Sequence, residues 1–240
     1  MFQWYFELVY HKENICNLKQ MKVYHKRNKV KEFYMTILYE VHNGLYVNMT
    51  NKCPCRCTFC LRQQKGSSSL YGDLWLDREP TVDEVKEEFL KRDLSKYDEI
   101  VFCGFGEPTE RLYDIFDICD FLRTLTDLPI RINTNGMADL IHKKATAADF
   151  KDRVDTVSIS LNTPDKKRYY ELTQNKFGED AFNAIIDFAK NVRSFVKRVI
   201  LSTVETTITK EQEKECRAIA DSIGAEYRIR PFEDYSDVSE

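Results

Sequence analysis

Cys53-Pro54-Cys55-Arg56-Cys57-Thr58-Phe59-Cys60 is the stretch that decides the fold. Counted from Cys53, the thiols fall in a C-x3-C-x2-C pattern, with Cys55 as an extra cysteine inside the first gap. Thiolates this close on one short loop are a metal signal. Their number matters. A structural zinc ion takes four ligands, and a conventional [4Fe–4S] cluster takes four cysteines. A set of three, Cys53, Cys57 and Cys60, leaves one iron without a protein ligand and open to a substrate or cofactor. Zinc is the alternative reading, but closing Cys55 and its near neighbours tetrahedrally would strain the loop. A zinc site completed from Cys103, Cys119 or Cys216 stays open, although none of these has a C-x2-C partner. A disulfide framework is disfavoured, because the chain is long enough to bury a core and shows no secretory signal.

Outward from the loop, the composition is that of an ordinary globular protein, 42% hydrophobic and 31% charged. The net charge of -3 gives no reason to expect a nucleic-acid partner held by bulk electrostatics. No stretch approaches the length of a membrane span. The opening Met1 to Phe6 is apolar but lacks a basic region and a small-residue cleavage site, so a cytoplasmic location is expected. One domain is expected over residues 35–234. Residues 1–34, with the basic run Lys22 to Lys31, read as an extension with a solvated charge run rather than a partner-binding arm. Residues 235–240, the end of the acidic run from Glu233, are expected to be disordered.

Upstream of the loop, Thr36–Val41 and Leu45–Met49 are β-rich runs about Asn43-Gly44, which predicts a hairpin turning on those two residues. The second strand delivers the cysteine loop from its C-terminal end. Gln63 to Gly72 reads as a flexible surface loop. Thr81 and Glu84 form a capping box for a helix with Val82, Val85, Phe89 and Leu90 on one face. Glu99–Cys103 is a short buried strand ending in Gly104-Phe105-Gly106-Glu107-Pro108, and the next helix carries Leu112, Ile115, Phe116, Cys119 and Leu122. Ile130–Thr134 then predicts a strand before Asn135-Gly136, and a helix is expected near Asp139–Phe150. Val157–Asn162 alternates strictly, with Ser158, Ser160 and Asn162 on one side. Pro164 is expected in the first turn of the following helix, which breaks near Gly178 and runs to about Val192. Arg198–Thr206, a helix capped by Thr209 and Gln212 and ending near Gly224, and a strand over Glu226–Phe232 complete the pattern.

Counted from Leu45, six strands alternate with five helices. With right-handed crossovers this implies a parallel sheet, an α/β fold with an incomplete, laterally open (β/α)6 TIM-like barrel. In such folds chemistry sits at the C-terminal ends of the strands. The unusual polar residues fall there: the cysteine loop, Glu107, Asn133 to Gly136, and Ser160 with Asn162.

Over residues 35–234 the chain resembles the radical S-adenosylmethionine (SAM) superfamily. The resemblance implies that Cys53, Cys57 and Cys60 hold a [4Fe–4S] cluster whose fourth iron is chelated by the amino and carboxylate groups of SAM. Phe59 matches the aromatic that meets the adenine. Phe105-Gly106-Glu107-Pro108 resembles the Gly-Gly-Glu-Pro motif with Phe for the first Gly, which assigns Gly106 and Glu107 to the methionine ammonium. Asn133-Thr134-Asn135-Gly136, and Ser160 with Asn162, resemble positions near the carboxylate and ribose of SAM. The Gly-x-Ile-x-Gly-x-x-Glu element appears only in part, as Ile200 and Glu205 with Arg198 and Ser202 in place of the glycines. Thr50–Arg62, Leu74-Trp75-Leu76 and Gly104–Arg111 look like the radical SAM proteins associated with TatD-family metal-dependent hydrolases, which implies a link to such a hydrolase.

The chemistry so implied is reductive cleavage of SAM to a 5′-deoxyadenosyl radical that abstracts hydrogen from a substrate. Flavodoxin or ferredoxin is the expected electron donor. Among enzymes of this design, glycyl-radical activases and deazapurine-type synthases (7-carboxy-7-deazaguanine synthase) are alternatives. A different class is a non-catalytic iron–sulfur or zinc module for electron transfer, which leaves Glu107 and Asn133 unexplained. Trp75 and Phe105 are expected to pack in the core rather than to shape a substrate pocket. Arg228 and Arg230, alternate residues of one strand, suggest an anionic group, either a substrate or Glu205. Peptide, protein and small-molecule substrates all remain open, and Cys55 reads as an incidental thiol.

Overall fold

Strand order follows chain order. The seven strands are β1 (Leu38–Val41), β2 (Gly44–Val47), β3 (Glu99–Phe102), β4 (Ile130–Thr134), β5 (Thr156–Ser160), β6 (Arg198–Val204) and β7 (Glu226–Arg230). They lie in one sheet in the order β1 to β7, antiparallel between β1 and β2 and parallel from β2 onward. The computed structural model describes residues 35–63 and 74–232. The expectations for residues 1–34, the surface loop from Gln63 to Gly72 beyond Gln63, and the acidic end from Glu233 fall outside the described residues.

Helices fill the crossovers: α1 (Val82–Leu90), α2 (Leu112–Leu122), α3 (Ala138–His142), α4 (Lys166–Thr173), α5 (Ala181–Val192) and α6 (Lys210–Ile223). Sequential parallel strands joined by right-handed crossovers put every helix on one face. The residues facing them, among them Leu45, Val47, Ile100, Phe102, Ile130, Ile132, Val157 and Ile159, are fully buried. Truncating any of these to Ala removes about 3 kcal/mol. The sheet is open rather than closed, so the α/β open-barrel expectation holds.

Local rules held where the chemistry was strongest. Thr81 and Glu84 make both bonds of the capping box, as do Thr209 and Gln212, and Gly224 ends α6 at φ +68. Several details differ from expectation. The hairpin turns on His42 and Asn43, with His42 at φ +52, and Gly44 already pairs with Val41. A Cβ on Gly44 would meet the Tyr46 ring at 2.9 Å, so this glycine serves contact within the strand rather than the turn. Leu90 is exposed at the end of α1, off the Val85 and Phe89 face. The expected helix over 139–150 is cut to α3 and a short 3-10 turn, Ala147–Phe150, by Lys143 at φ +55. Asp165 caps α4 by accepting from the Arg168 N–H, so Pro164 lies outside the helix. The break before α5 comes at Gln174, earlier than Gly178, because Gln174 takes a left-handed conformation.

Candidate functional site

Each C-terminal strand end on the parallel part of the sheet contributes one loop. The loop after β2 opens with Asn48, whose side-chain N–H groups donate to Thr36 O and, at 2.7 Å, to Leu74 O. Asn51 exchanges two bonds with Leu76, and Thr50 Oγ1 donates to Glu79 Oε1 at 2.6 Å. The segment from Leu74 to Glu79 is thereby sewn along the chain entering the cysteines. On the other side, α4 carries the loop. Arg56 N–H donates to Thr173 O at 2.8 Å, Thr58 N–H to Leu172 O at 3.0 Å, and Lys176 N–H to Pro54 O at 2.9 Å. The open carbonyls at a helix C-terminus need such donors, and here the cysteine loop supplies them.

Cys53, Cys57 and Cys60 are half-buried, whereas Cys55 is turned into the core at 3% exposure. The Cys55 thiol hydrogen-bonds to the sulfurs of Cys53 and Cys57, which pulls both below the ordinary thiol value and pushes Cys55 itself up. Burial pushes Cys60 up. Asn135 Nδ2 reaches Cys55 Sγ at 3.8 Å. Among the described residues no three His, Cys, Asp or Glu side chains are arranged to hold one ion. The three outer thiols on one loop suit a larger group, a cluster bound at its edge.

Glu107 is 4% exposed, and four donors reach its carboxylate, three of them on one oxygen. Oε1 accepts from the Thr109 N–H (3.0 Å), Thr109 Oγ1 (2.7 Å) and Thr134 Oγ1 (2.6 Å), and Oε2 from the Asn135 N–H (2.7 Å). Burial raises its pKa, and these donors work against that rise. Its side chain is thus a tie between the β3 and β4 loops. Gly106 sits where a Cβ would lie 2.1 Å from Thr50 O and 2.7 Å from Lys52 O, and the Glu107 N–H donates to Lys52 O. The glycine is required because two backbones touch there. At the end of β5, Leu161 and Asn162 N–H groups both donate to Ser202 O, and Asn162 takes φ +64. The alternation predicted through Asn162 therefore stops at Ser160. Asn162 is buried, and its Oδ1 has no hydrogen-bond partner among the described residues.

Register defines the face away from the helices. Asn133 and Ser158 are level, as are Ser160, Ser202 and Arg228 one step nearer the loops. Lower down, Arg131 grips Glu99 and Arg198 grips Glu226, each through two bonds. Asn133 Oδ1 accepts from Arg131 at 3.2 Å. Tyr227 turns to α6, under the Arg217 guanidinium, so its neighbours Arg228 and Arg230 face the other way. Arg230 and Arg131 act from there on the Cys103 thiol, whose pKa burial raises.

The predicted cysteines, Phe59, Gly106, Glu107, Asn133, Ser160 and Asn162 thus all lie on the loops or the last residues of β2 to β5. Arg62 and Thr134 lie inside stretches the sequence singles out, but the ties they make are not foreseen there. Arg62 donates to Asn51 O, Phe105 O and Cys55 O, clamping two loops. Trp75, expected in the core, is 45% exposed, edge-on to Phe105 at 5.4 Å and 6.0 Å from the Arg62 guanidinium.

A sequence model described as the radical SAM superfamily matches residues 47–223, well over half of the chain. A probable dual-specificity RNA methyltransferase RlmN of Treponema denticola is 31% identical over 127 residues, covering 50% of this chain and 33% of that protein. The chain thus spans about a third of the length of that curated relative. Among solved structures, Streptococcus suis SuiB bound to S-adenosylmethionine superposes with a TM-score of 0.55 at 19% identity, over 81% of this chain and 40% of that one. A radical SAM methyltransferase from Sphaerobacter thermophilus gives 0.53 at 15% identity, over 81% and 68%. At such identities these structures speak for the fold alone.

Proposed function

Because the chain belongs to the radical SAM superfamily, and so is an enzyme using a [4Fe–4S] cluster and SAM, we propose that it cleaves SAM reductively to abstract hydrogen from a polar, anionic substrate. The observation that carries this is the division of the cysteines: three half-buried thiols on the loop after β2, with the fourth withdrawn into the core. When bound and reduced, the cluster supplies the electron that splits SAM into methionine and a 5′-deoxyadenosyl radical.

The protein's own work is holding and shielding. Cys53, Cys57 and Cys60 would ligate iron. Gly106 lets the β3 loop close on the cysteine loop, and Glu107 fixes both against β4. Glu107 Oε2, which takes a single donor, would keep acceptor capacity for the methionine ammonium while the bonds on Oε1 orient the two loops. Phe59 would meet the adenine, while Asn133 and Ser160 would line the path of the SAM carboxylate. The unpartnered Asn162 Oδ1 fits a ribose hydroxyl donor.

An anionic substrate is supported by Arg228, level with Ser160 and Ser202 near the loops, above a floor of neutralised charge pairs. The TatD-type hydrolase link rests on the resembling stretches, whose Arg62, Trp75 and Phe105 come together beside the cysteines. Flavodoxin or ferredoxin is the proposed electron donor.

The test is anaerobic iron and sulfide reconstitution, then dithionite and SAM, with 5′-deoxyadenosine measured by chromatography. Wild type should form it and Cys57→Ala should not. A protein that keeps zinc and takes no cluster would sink this reading.

A further inference from the structure

The helix that carries the cysteine loop also holds a buried polar group with no partner among the described residues. Tyr169, the fourth of the eight residues of α4, is fully buried, with its ring 5.6 Å from that of Phe182. Its hydroxyl has no hydrogen-bond partner among the described residues. Leu172 and Thr173, the residues whose carbonyls carry the cysteine loop, stand three and four positions further along the same helix, so all three share a face. Burial pushes the phenol's pKa well up, and Cys55, Cys57, Glu107 and Cys53 act in the same direction. Glu107 takes three donors on Oε1 and one on Oε2, and the Tyr169 hydroxyl is within hydrogen-bond reach of neither oxygen. What remains is sulfur.

A buried hydroxyl without a partner costs about 1–3 kcal/mol, and native proteins seldom leave one so. The cost falls due only while the cofactor is absent if the missing acceptor belongs to the cofactor. We propose that the Tyr169 hydroxyl donates a hydrogen bond to a sulfur of the cluster held by Cys53, Cys57 and Cys60, and thereby raises its reduction potential. The inference rests on the cluster reading above and adds a residue that sets how readily the cluster accepts its electron. A donor aimed at sulfur stabilises the more negative, reduced cluster more than the oxidised one. No proton leaves the tyrosine. Asn135 Nδ2, turned to Cys55 Sγ, shows that the same layer already directs a second donor at sulfur.

Tyr169→Phe keeps the ring and removes only the oxygen, and Tyr170→Phe, exposed on the same helix, is the control. Both are compared with wild type as cluster-free protein by thermal unfolding, and as reconstituted protein by iron content and an electron paramagnetic resonance redox titration without SAM. Tyr169→Phe should unfold at the same or a higher temperature when cluster-free and load iron as wild type does. Its cluster should reduce about tenfold less favourably, 59 mV lower for one electron. Tyr170→Phe should change nothing. An unshifted potential in a fully loaded Tyr169→Phe protein overturns the inference and leaves the function intact. A clear loss of cluster-free stability also overturns it, because the hydroxyl would then have a partner within the protein. Wild type that binds no cluster removes the proposed function and this inference together.

Discussion

Thr134 Oγ1 donates to Glu107 Oε1 at 2.6 Å and accepts from the Gly136 N–H at 3.0 Å, so one hydroxyl joins the ends of β3 and β4. Both side chains are buried, and water cannot replace the lost bonds. Thr134→Val keeps the shape and strands the Gly136 N–H. We expect a loss of about 1–3 kcal/mol, read as a shift of the urea midpoint of the cluster-free protein. The slope should stay the same, since the unfolding unit is unchanged.

Gly106 and Gly104 separate two kinds of crowding. A Cβ at 106 meets backbone oxygens of Thr50 and Lys52, which cannot move without opening the cysteine loop. A Cβ at 104 meets the Asn48 side chain, at 2.2 Å from its Oδ1. Gly106→Ala should therefore cost about 3 kcal/mol, at the upper end for overpacking, and should lower the iron bound per chain after reconstitution. A Gly106→Ala protein that loads iron fully would show that the loop tolerates the displacement.

The reach of the sequence was set by the range of the forces involved. Capping boxes, the α2 stripe and the Gly224 stop are local, so Thr81, Thr209 and Gly224 were legible from spacing alone. The six parallel strands followed from the alternation of periods, and the site's position followed from the topology. What escaped depended on contacts distant in the chain. Thr134 stands out as a polar strand-end residue, but its partner Glu107 lies 27 positions away and spacing gives no sign of it. Arg62 enters only as the end of a resembling stretch, and its bond to Phe105 O, 43 positions on, leaves no local trace. Trp75 was misread because base rates bury tryptophan, whereas here Asn51 holds the neighbouring Leu76 and leaves the ring outside.

Asp155 is the main acid-sensitive tie at the opposite end of the sheet. Burial works against its charge, but Lys197 at 2.7 Å, the Ile130 N–H at 2.8 Å and Arg123 at 2.5 Å outweigh it and hold the carboxyl below its ordinary value. A depressed folded value means the contribution is complete above the unfolded value, about 3.9, and is lost as pH falls through the folded one. Asp155→Asn should cost about 2 kcal/mol at neutral pH, less than a fully buried pair because Lys197 is exposed. Thermal unfolding from pH 7 to 2.5 should show the gap between the two proteins closing only below about pH 4. A constant gap would assign the loss to packing.

Asn162 gives the sharpest separation of stability from binding. Its φ of +64 suits glycine, and its buried Oδ1 has no partner among the described residues. Asn162→Gly therefore relieves backbone strain and removes an unsatisfied acceptor, and the cluster-free protein should unfold within about 1 kcal/mol of wild type. If Oδ1 serves a ribose hydroxyl, the same change should weaken SAM binding to the reconstituted protein by about tenfold, the worth of one hydrogen bond. Anaerobic equilibrium dialysis with labelled SAM measures this without turnover. Unchanged affinity would remove Asn162 from the cofactor site and leave its strained conformation to be explained by the backbone bonds from Leu161 and Asn162 to Ser202 O.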